Sequence, residues 1–388
     1  MYNIKTYTPL NEKVKKTFNQ NYNIDGNLTD YDAIMVHSTN LHEENFSKNL
    51  KCVVRVGAGV NNIPIDKLTK EGIAVFNTPG GNANAVKELT ICALIGMSRN
   101  ILKANEWTKS LTCEEKDLMP TVEKGKKEFK GTEILGKSIG IVGVGNVGSR
   151  VARACHALGM KCFGYDPFLP NHIKEELKNI ITFVNTVDEV LIDKDYVSLH
   201  SPVSKDNAKQ LGKEIIDKMK DGVRILNFAR GEIVDACAID EAIKSGKVAG
   251  YATDFPTKNE LTNDKVFVLP HLGASSVEAD MNCAMMARDE VIEFLENGNV
   301  INSVNFPCIS MERTEGDRIT LLHKNVVGML GKITDQISNM NLNIENLTNK
   351  ARGEIAYTIL DFNVKVDDNV IKNLSTIPDV IKINHYTA

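Results

Sequence analysis

Residues 138–148 read SIGIVGVGNVG, an apolar run that ends in a G-x-G-x-x-G at Gly143, Gly145 and Gly148. The run has the composition of a buried strand, and residues 147–158 after it carry a helical apolar period. At such a strand-to-helix turn the first two glycines let backbone amides approach a pyrophosphate at the helix N-terminus, and Gly148 lets the helix pack close to the strand. Glycine-rich turns occur in many loops, so the motif alone is weak. Asp166 strengthens it: it ends the next apolar run, KCFGYD at 161–166, eighteen positions after Gly148. A carboxylate there accepts both ribose hydroxyls of an adenosine and repels a 2′-phosphate, so the pair predicts NAD in preference to NADP. The bland alternative is a turn of glycines beside a solvated aspartate.

Apolar runs continue at YVSLH (196–200), VRILNF (223–228), GYATDF (250–255) and VFVLPH (266–271), giving six strands separated by helix-length segments. A doubly wound dinucleotide domain of six strands requires this series. Upstream, apolar runs at 33–36, 52–56 and 73–76 alternate with helical patterns, which predicts a second lobe with a parallel sheet. A long helix is expected over 85–105, and the lysine- and glutamate-rich piece 109–130 reads as a surface connection between lobes. Downstream, 277–297 reads as one amphipathic helix. The remainder reads strand 318–323, helix 328–340, strands 344–350 and 355–364, helix 369–375 and strand 380–385. This βαββαβ order places both helices on one face of a small sheet.

Composition fits that plan. The 388 residues allow two or three domains, and 42% hydrophobic and 25% charged residues with a net charge of −4 describe an ordinary globular chain without the basic excess that nucleic acid attracts. The start, MYNIKTYTPLNEKVKK, lacks the apolar core of a secretory signal, and no run is long enough to span a membrane, so a cytoplasmic protein is expected. Eight cysteines lie scattered without a C-x-x-C pair, mostly amid apolar neighbours, which predicts reduced, buried thiols and no metal site.

Two side chains follow strand ends in the second series. Arg230, in LNFARGEIVD (226–235), stands just past a strand at the edge where open α/β sheets bind ligands, and a guanidinium there can clamp a carboxylate and polarise an adjacent carbonyl. His271, in LPHLGAS (269–275), follows the last strand and supplies an imidazole suited to proton exchange in a hydroxyl-to-ketone interconversion. Alone, each would read as a surface ion pair or a structural histidine; at one sheet edge they read as a catalytic pair. In the other lobe, RVGAGVNN (55–62) and NTPGGNANAVKEL (77–89) place backbone amides, Arg55, Asn77, Thr78 and Lys87 on loops that suit an anionic substrate. The alternative for both is a glycine-rich turn between strand and helix.

Taken together, VRVGAGVNNI, NTPGGNANAVKELT, IGIVGVGNVG, YDP, LNFARGEIVD and LPHLGAS, in this order, resemble the D-isomer-specific 2-hydroxyacid dehydrogenases over essentially the whole chain. The resemblance implies an α/β protein with two doubly wound parallel-sheet lobes: a flavodoxin-like substrate lobe from 1–98 and 277–312, and a Rossmann NAD lobe from 99–276. It also implies a homo-oligomer, dimer or tetramer, and NAD-linked oxidation of a D-2-hydroxy acid. The expected substrate is 3-phosphoglycerate, oxidised to 3-phosphohydroxypyruvate as the first step of serine synthesis. By the same carry-over Asn146 and Val147 meet the pyrophosphate, Ser201 and Pro202 pass the adenosine half, and Asp254 approaches the nicotinamide amide. Phe228 and Ala229, with Gly273 and Ala274, line the nicotinamide side.

Members of the family support the histidine with a glutamate in D-V-F-x-x-E-P. Here the chain reads Asp254-Phe-Pro-Thr-Lys-Asn-Glu260-Leu, which sets Asn259 at that position and Glu260 one place late. A one-residue slip in the loop would restore Glu260 as the third catalytic group. Residues 315–388 resemble ACT regulatory domains, and His323, Asn325 and Asn343 match positions that contact a serine effector in them; Val327 stands where a proline is usual. Three rival readings remain: a dehydrogenase for glycerate or hydroxypyruvate, a non-catalytic NAD sensor, and an amino-acid-binding regulator.

Overall fold

The structure, a computed structural model, describes residues 1–203 and 207–388. Backbone contacts divide the chain into two compact units, one of Met1–Gly81 with Asp280–Ala388 and one of Asn82–Ala279.

The second unit is built on seven strands: β6 Ser138–Val142, β7 Lys161–Tyr165, β8 Ile181–Phe183, β9 Tyr196–Leu199, β10 Val223–Asn227, β11 Val248–Thr253 and β12 Val266–Val268. They lie in the order β12-β11-β10-β9-β6-β7-β8, all pairs parallel. The order reverses direction between β6 and β9, the switch point at which doubly wound sheets bind ligands. Continuous burial along β9 and most of β6 and β10 reflects helices on both faces. The helix Gly148–Ala157 buries Val151, Ala152 and Cys155, an i, i+1, i+4 stripe that packs on Ile139, Ile141 and Cys162. Strand β8 was not among the six expected; three residues with one buried position give no readable alternation.

The helix expected over 85–105 is two: Ala83–Ser98 and Ile101–Lys109, broken at Asn100, which takes a left-handed φ of 53° that asparagine tolerates better than most residues. Ala83–Ser98 packs through Val86, Ala93 and Leu94 into the core beneath β6, so contacts group it with the second unit, whereas the sequence assigned it to the first lobe. The stretch expected as a bare connection contains a helix, Glu115–Gly125, none of whose residues is buried.

In the first unit, β1 Tyr2–Thr6, β2 Tyr22–Asp25, β3 Ala33–Val36, β4 Cys52–Arg55 and β5 Ala74–Asn77 form a parallel sheet ordered β2-β1-β3-β4-β5, the flavodoxin-like order. The helix Val277–Asn297 covers it with Cys283, Ala284, Ala287, Val291, Phe294 and Leu295. Residues 318–386 supply an antiparallel sheet of β13 Arg318–Lys324, β14 Asn346–Arg352, β15 Ile355–Asp361 and β16 Val380–Tyr386, ordered β14-β15-β13-β16. Ile319, Leu321, Leu360 and Phe362 pack against both of its helices, Met329–Asn339 and Asp368–Ser375, on one face as expected. Leu322, Tyr357 and Ile359 of the other face join the core of the first sheet.

Within this unit Arg318 and Asp361 form an ion pair with no exposed surface. The guanidinium donates to both Asp361 oxygens, to Asn299 Oδ1 and to the carbonyls of Asn297, Met311 and Glu312, so the cost of burying the charge is met by full hydrogen bonding. All eight cysteines are free, but only Cys52, Cys155, Cys162 and Cys283 are buried. The exposure of Cys92, Cys113, Cys237 and Cys308 corrects the expectation of buried thiols.

Candidate active site

Because the seven strands of the second unit are parallel, residues that follow their carboxyl ends share one edge of the sheet. Gly143 follows β6, Asp166 follows β7, Ser201 lies beyond β9, Arg230 beyond β10, Asp254 follows β11 and His271 lies beyond β12. The sequence-selected residues of the cofactor lobe are thus brought to a single edge.

At the switch point the glycine turn has the shape that a dinucleotide needs. Gly143 has φ +84°, and a Cβ there would lie 2.7 Å from the Ser201 amide nitrogen; one at Gly148 would lie 2.0 Å from the Gly143 carbonyl oxygen. Only glycine permits that turn and that close approach of helix to strand. Gly145 and Asn146 are exposed, with open space around Gly145, and Val147 immediately precedes the helix. Asp166 braces the turn: Oδ2 accepts the Val144 N–H at 2.9 Å and Oδ1 accepts the Phe168 N–H at 3.0 Å. Ser201 and Pro202 lie across from Gly143, where the Asn207 amide donates to the Pro202 carbonyl at 2.7 Å. Beside them His200 bonds Ser198 Oγ at 2.8 Å, and burial lowers its pKa to about 4, which keeps the ring neutral near the glycine turn.

Past β10 the chain makes a turn that presents Arg230. Asn227, fully buried at the end of an apolar strand, accepts the Ala229 and Arg230 N–H groups on Oδ1 and donates Nδ2 to the Arg230 carbonyl at 2.9 Å. It therefore fixes Phe228, Ala229 and Arg230 from beneath. Sequence reasoning did not select Asn227; its signal was an amide where an apolar strand would otherwise end in an aliphatic residue. The Arg230 guanidinium donates to the Ala229 carbonyl at 2.7 Å.

His271 is exposed and has φ +45°, a left-handed conformation uncommon for a side chain of this size. Its N–H donates to the carbonyls of Asp254 and Leu269, at 3.0 and 3.2 Å, and the Phe255 ring lies 4.8 Å from the imidazole centroid. Asp254 is 1% exposed and accepts the Gly273 N–H on Oδ2 at 2.8 Å, whereas Oδ1 is buried with no partner. Burial raises its pKa, against the opposing effects of the Gly273 N–H and the nearby His271 and Arg230. A buried carboxylate oxygen lacking a donor fits the amide of a bound nicotinamide, and Ala274 continues the same loop.

Glu260 does not meet His271. It begins a 3-10 turn, Glu260–Thr262, that turns its side chain inward, and Oε2 accepts the Thr257 N–H at 2.7 Å. Among the described residues no ion pair or hydrogen bond joins it to the imidazole. The carboxylate instead closes its own loop through the Thr257 N–H.

In the first unit Arg55 ends β4 and its guanidinium fills the space above Gly57, where a Cβ would fall 1.3 Å from Nη1; Nη1 donates to the Val56 carbonyl. The two glycine-rich loops are joined here: Asn77 Nδ2 donates to Ala58 O at 2.6 Å, and Thr78 Oγ1 accepts the Gly57 N–H at 2.7 Å. Lys87 belongs to the other unit and pairs with Glu88 at 3.3 Å. In the C-terminal sheet, His323 is 2% exposed, with both ring nitrogens engaged, by the Lys324 carbonyl and Thr358 Oγ1; Asn325 and Asn343 are exposed. His323 would have to leave Thr358 to touch an effector.

A doubly wound sheet with a glycine turn at its switch point, an aspartate after the next strand, and an arginine and a histidine on the same edge has the architecture of a dinucleotide-binding enzyme domain. Comparison with known proteins gives it a family. Residues 91–273 match the sequence model of the D-isomer specific 2-hydroxyacid dehydrogenase, NAD binding domain. The hydroxypyruvate reductase of Thermotoga maritima is 35% identical over 257 residues, 64% of this chain and 78% of that protein. The D-3-phosphoglycerate dehydrogenase of Bacillus subtilis is 37% identical over 318 residues, 80% of this chain and 57% of that relative. The chain belongs to the D-isomer-specific 2-hydroxyacid dehydrogenase family. It spans little more than half the length of the Bacillus relative. Among solved structures, the NAD+-bound 3-phosphoglycerate dehydrogenase of Entamoeba histolytica superposes with a TM-score of 0.63 at 28% identity, covering 79% of this chain and 99% of that one.

Proposed function

We propose that the protein oxidises 3-phosphoglycerate to 3-phosphohydroxypyruvate with NAD, the first step of serine synthesis from glycolysis. The observation that carries this reading is the placement of Arg230 and His271 on the sheet edge that also holds the glycine turn and Asp166. Relatives named D-3-phosphoglycerate dehydrogenase support the choice of substrate. NAD would supply the hydride acceptor when bound; Gly143–Gly148 and Asp166 would hold it, and Asp254 would orient it. Arg230 grips the C1 carboxylate with two parallel hydrogen bonds and polarises the C2 oxygen. His271 takes the hydroxyl proton as the C2–H bond gives up its hydride, so the alcohol becomes a ketone and the imidazole a cation. Arg55, with Lys87, holds the remote phosphate, and Asn77 and Thr78 shape the loop around it. Steady-state NADH formation tests this: His271→Ala and Arg230→Ala must each abolish turnover of 3-phosphoglycerate while NADH binding persists.

A second reading, oxidation of glycerate or reduction of hydroxypyruvate, is favoured by the name of the Thermotoga relative. It dispenses with a phosphate site, so Arg55→Ala would then leave substrate preference unchanged.

The C-terminal sheet we read as an ACT-type unit that takes a serine effector at His323, Asn325 and Asn343, in a chain that forms a homo-oligomer. The free thiols suit the reducing cytoplasm, and no helix among the described residues is long and apolar enough to cross a membrane.

A further inference from the structure

We propose that Arg352, in the C-terminal sheet, is a positioning residue for the substrate strand β5 and the residues Asn77 and Thr78 that follow it. The role in catalysis rests on the function proposed above; the structural coupling does not.

β5 is the last strand of its sheet and has no parallel neighbour on its outer side. A distant segment takes that place. Ser303 bridges Phe76 antiparallel, Ser303 Oγ and Val304 N donate to the Val75 carbonyl at 2.9 and 2.8 Å, and Asn305 Oδ1 accepts the Val75 N–H at 2.8 Å. Asn305 Nδ2 reaches back to the Ile73 carbonyl and Thr69 Oγ1, at 3.0 and 2.9 Å. Residues 303–305 thus complete the edge of β5, and β5 runs directly into Asn77 and Thr78, which bond the Arg55 loop at Ala58 and Gly57.

Arg352, the last residue of β14, adds a hold on the segment from its other side. Its Nη1 donates to the Ser303 carbonyl at 2.8 Å and the Phe306 carbonyl at 3.2 Å, the first residue of the segment that lines β5 and the residue just after it. Charge-assisted donation to two carbonyls fixes their spacing in a way no apolar contact would. The turn that presents Arg352 is gripped in turn by Asn325, whose N–H and side-chain amide donate to the carbonyls of Glu354 and Gly353 at 2.8 and 3.2 Å. The C-terminal sheet is therefore built into the support of the substrate loops, and a small ligand that engaged Asn325 would pull on the same turn.

The test compares wild type, Arg352→Ala and Arg352→Lys in the full-length chain, each checked for melting temperature and NADH binding. Hydrogen exchange is read by mass spectrometry over residues 73–80 and, as a control, over 139–142. Arg352→Ala should speed exchange in 73–80 alone. It should raise KM for 3-phosphoglycerate about five- to tenfold, with kcat and KM for NAD within about twofold, and Arg352→Lys should fall between. Unchanged exchange over 73–80 with an unchanged substrate KM would overturn the proposal, as would equal changes over 139–142. A wild type without activity on any hydroxy acid would refute the proposed reaction, and the exchange comparison would still decide the role of Arg352.

Discussion

Asp254 accepts the Gly273 amide at 2.8 Å through one carboxylate oxygen and leaves the other buried without a donor. The bond ties the end of β11 to the loop that carries His271, so one side chain both shapes that loop and presents an unsatisfied acceptor beside it.

That arrangement sets stability against cofactor binding. Burial raises the Asp254 pKa, so its contribution is most favourable at acid pH and is lost as pH rises through the raised folded value. Asp254→Asn keeps an acceptor for Gly273 and removes the buried charge. We predict that the cofactor-free variant melts higher than wild type at neutral pH and binds NADH about tenfold or more weakly. Thermal denaturation with and without NADH measures both; equal NADH affinity would remove Asp254 from the cofactor site.

Asp166 has two duties, bracing the glycine turn and, on our account, reading the ribose. Asp166→Ala should raise KM for NAD about ten- to a hundredfold and narrow the preference over NADP. An unaltered NAD-to-NADP ratio would limit the residue to its structural duty.

Glu260 closes its own loop through Thr257. Gln at this position retains the acceptor, so Glu260→Gln should leave kcat within about threefold of wild type and the pH profile of kcat/KM unchanged in shape. A fall of three orders of magnitude would mean that the loop rearranges in the enzyme-substrate complex to deliver the carboxylate to His271.

In the first unit Glu290 is 5% exposed, with Asn302 Nδ2 on Oε1 and nothing on Oε2, and burial pushes its pKa up to about 8. Its neutral form suits the fold, so the folded state binds a proton that the unfolded state has released, and stability from this group falls as pH rises from about 4.5 to about 8. Glu290→Gln should therefore gain in melting temperature over wild type between pH 5 and 8, with the difference levelling off at higher pH. A pH-independent difference would contradict the assignment.

The sequence made the centre of the molecule readable and its borders less so. Apolar strands buried on both faces, such as β9 and β10, announce themselves, and the glycine turn with Asp166 carries its own geometry. β1 and β2 went unread because they place few residues in the core, and the break at Asn100 turns on one backbone angle. The placement of Arg230 and His271 after strands was legible. Asn227, which aims Arg230, was hidden because its partners are backbone atoms of a turn whose shape only the fold defines. In the loop after Asp254, counting residues cannot show that Glu260 bonds Thr257.

The central claim is that Arg230 and His271 serve a phosphorylated D-2-hydroxy acid. The direct measurement is NADH formation by the wild-type protein with 3-phosphoglycerate and with D-glycerate under identical conditions. We predict kcat/KM for 3-phosphoglycerate higher by about a hundredfold or more, the return on a gripped phosphate. Equal or faster turnover of D-glycerate would contradict it.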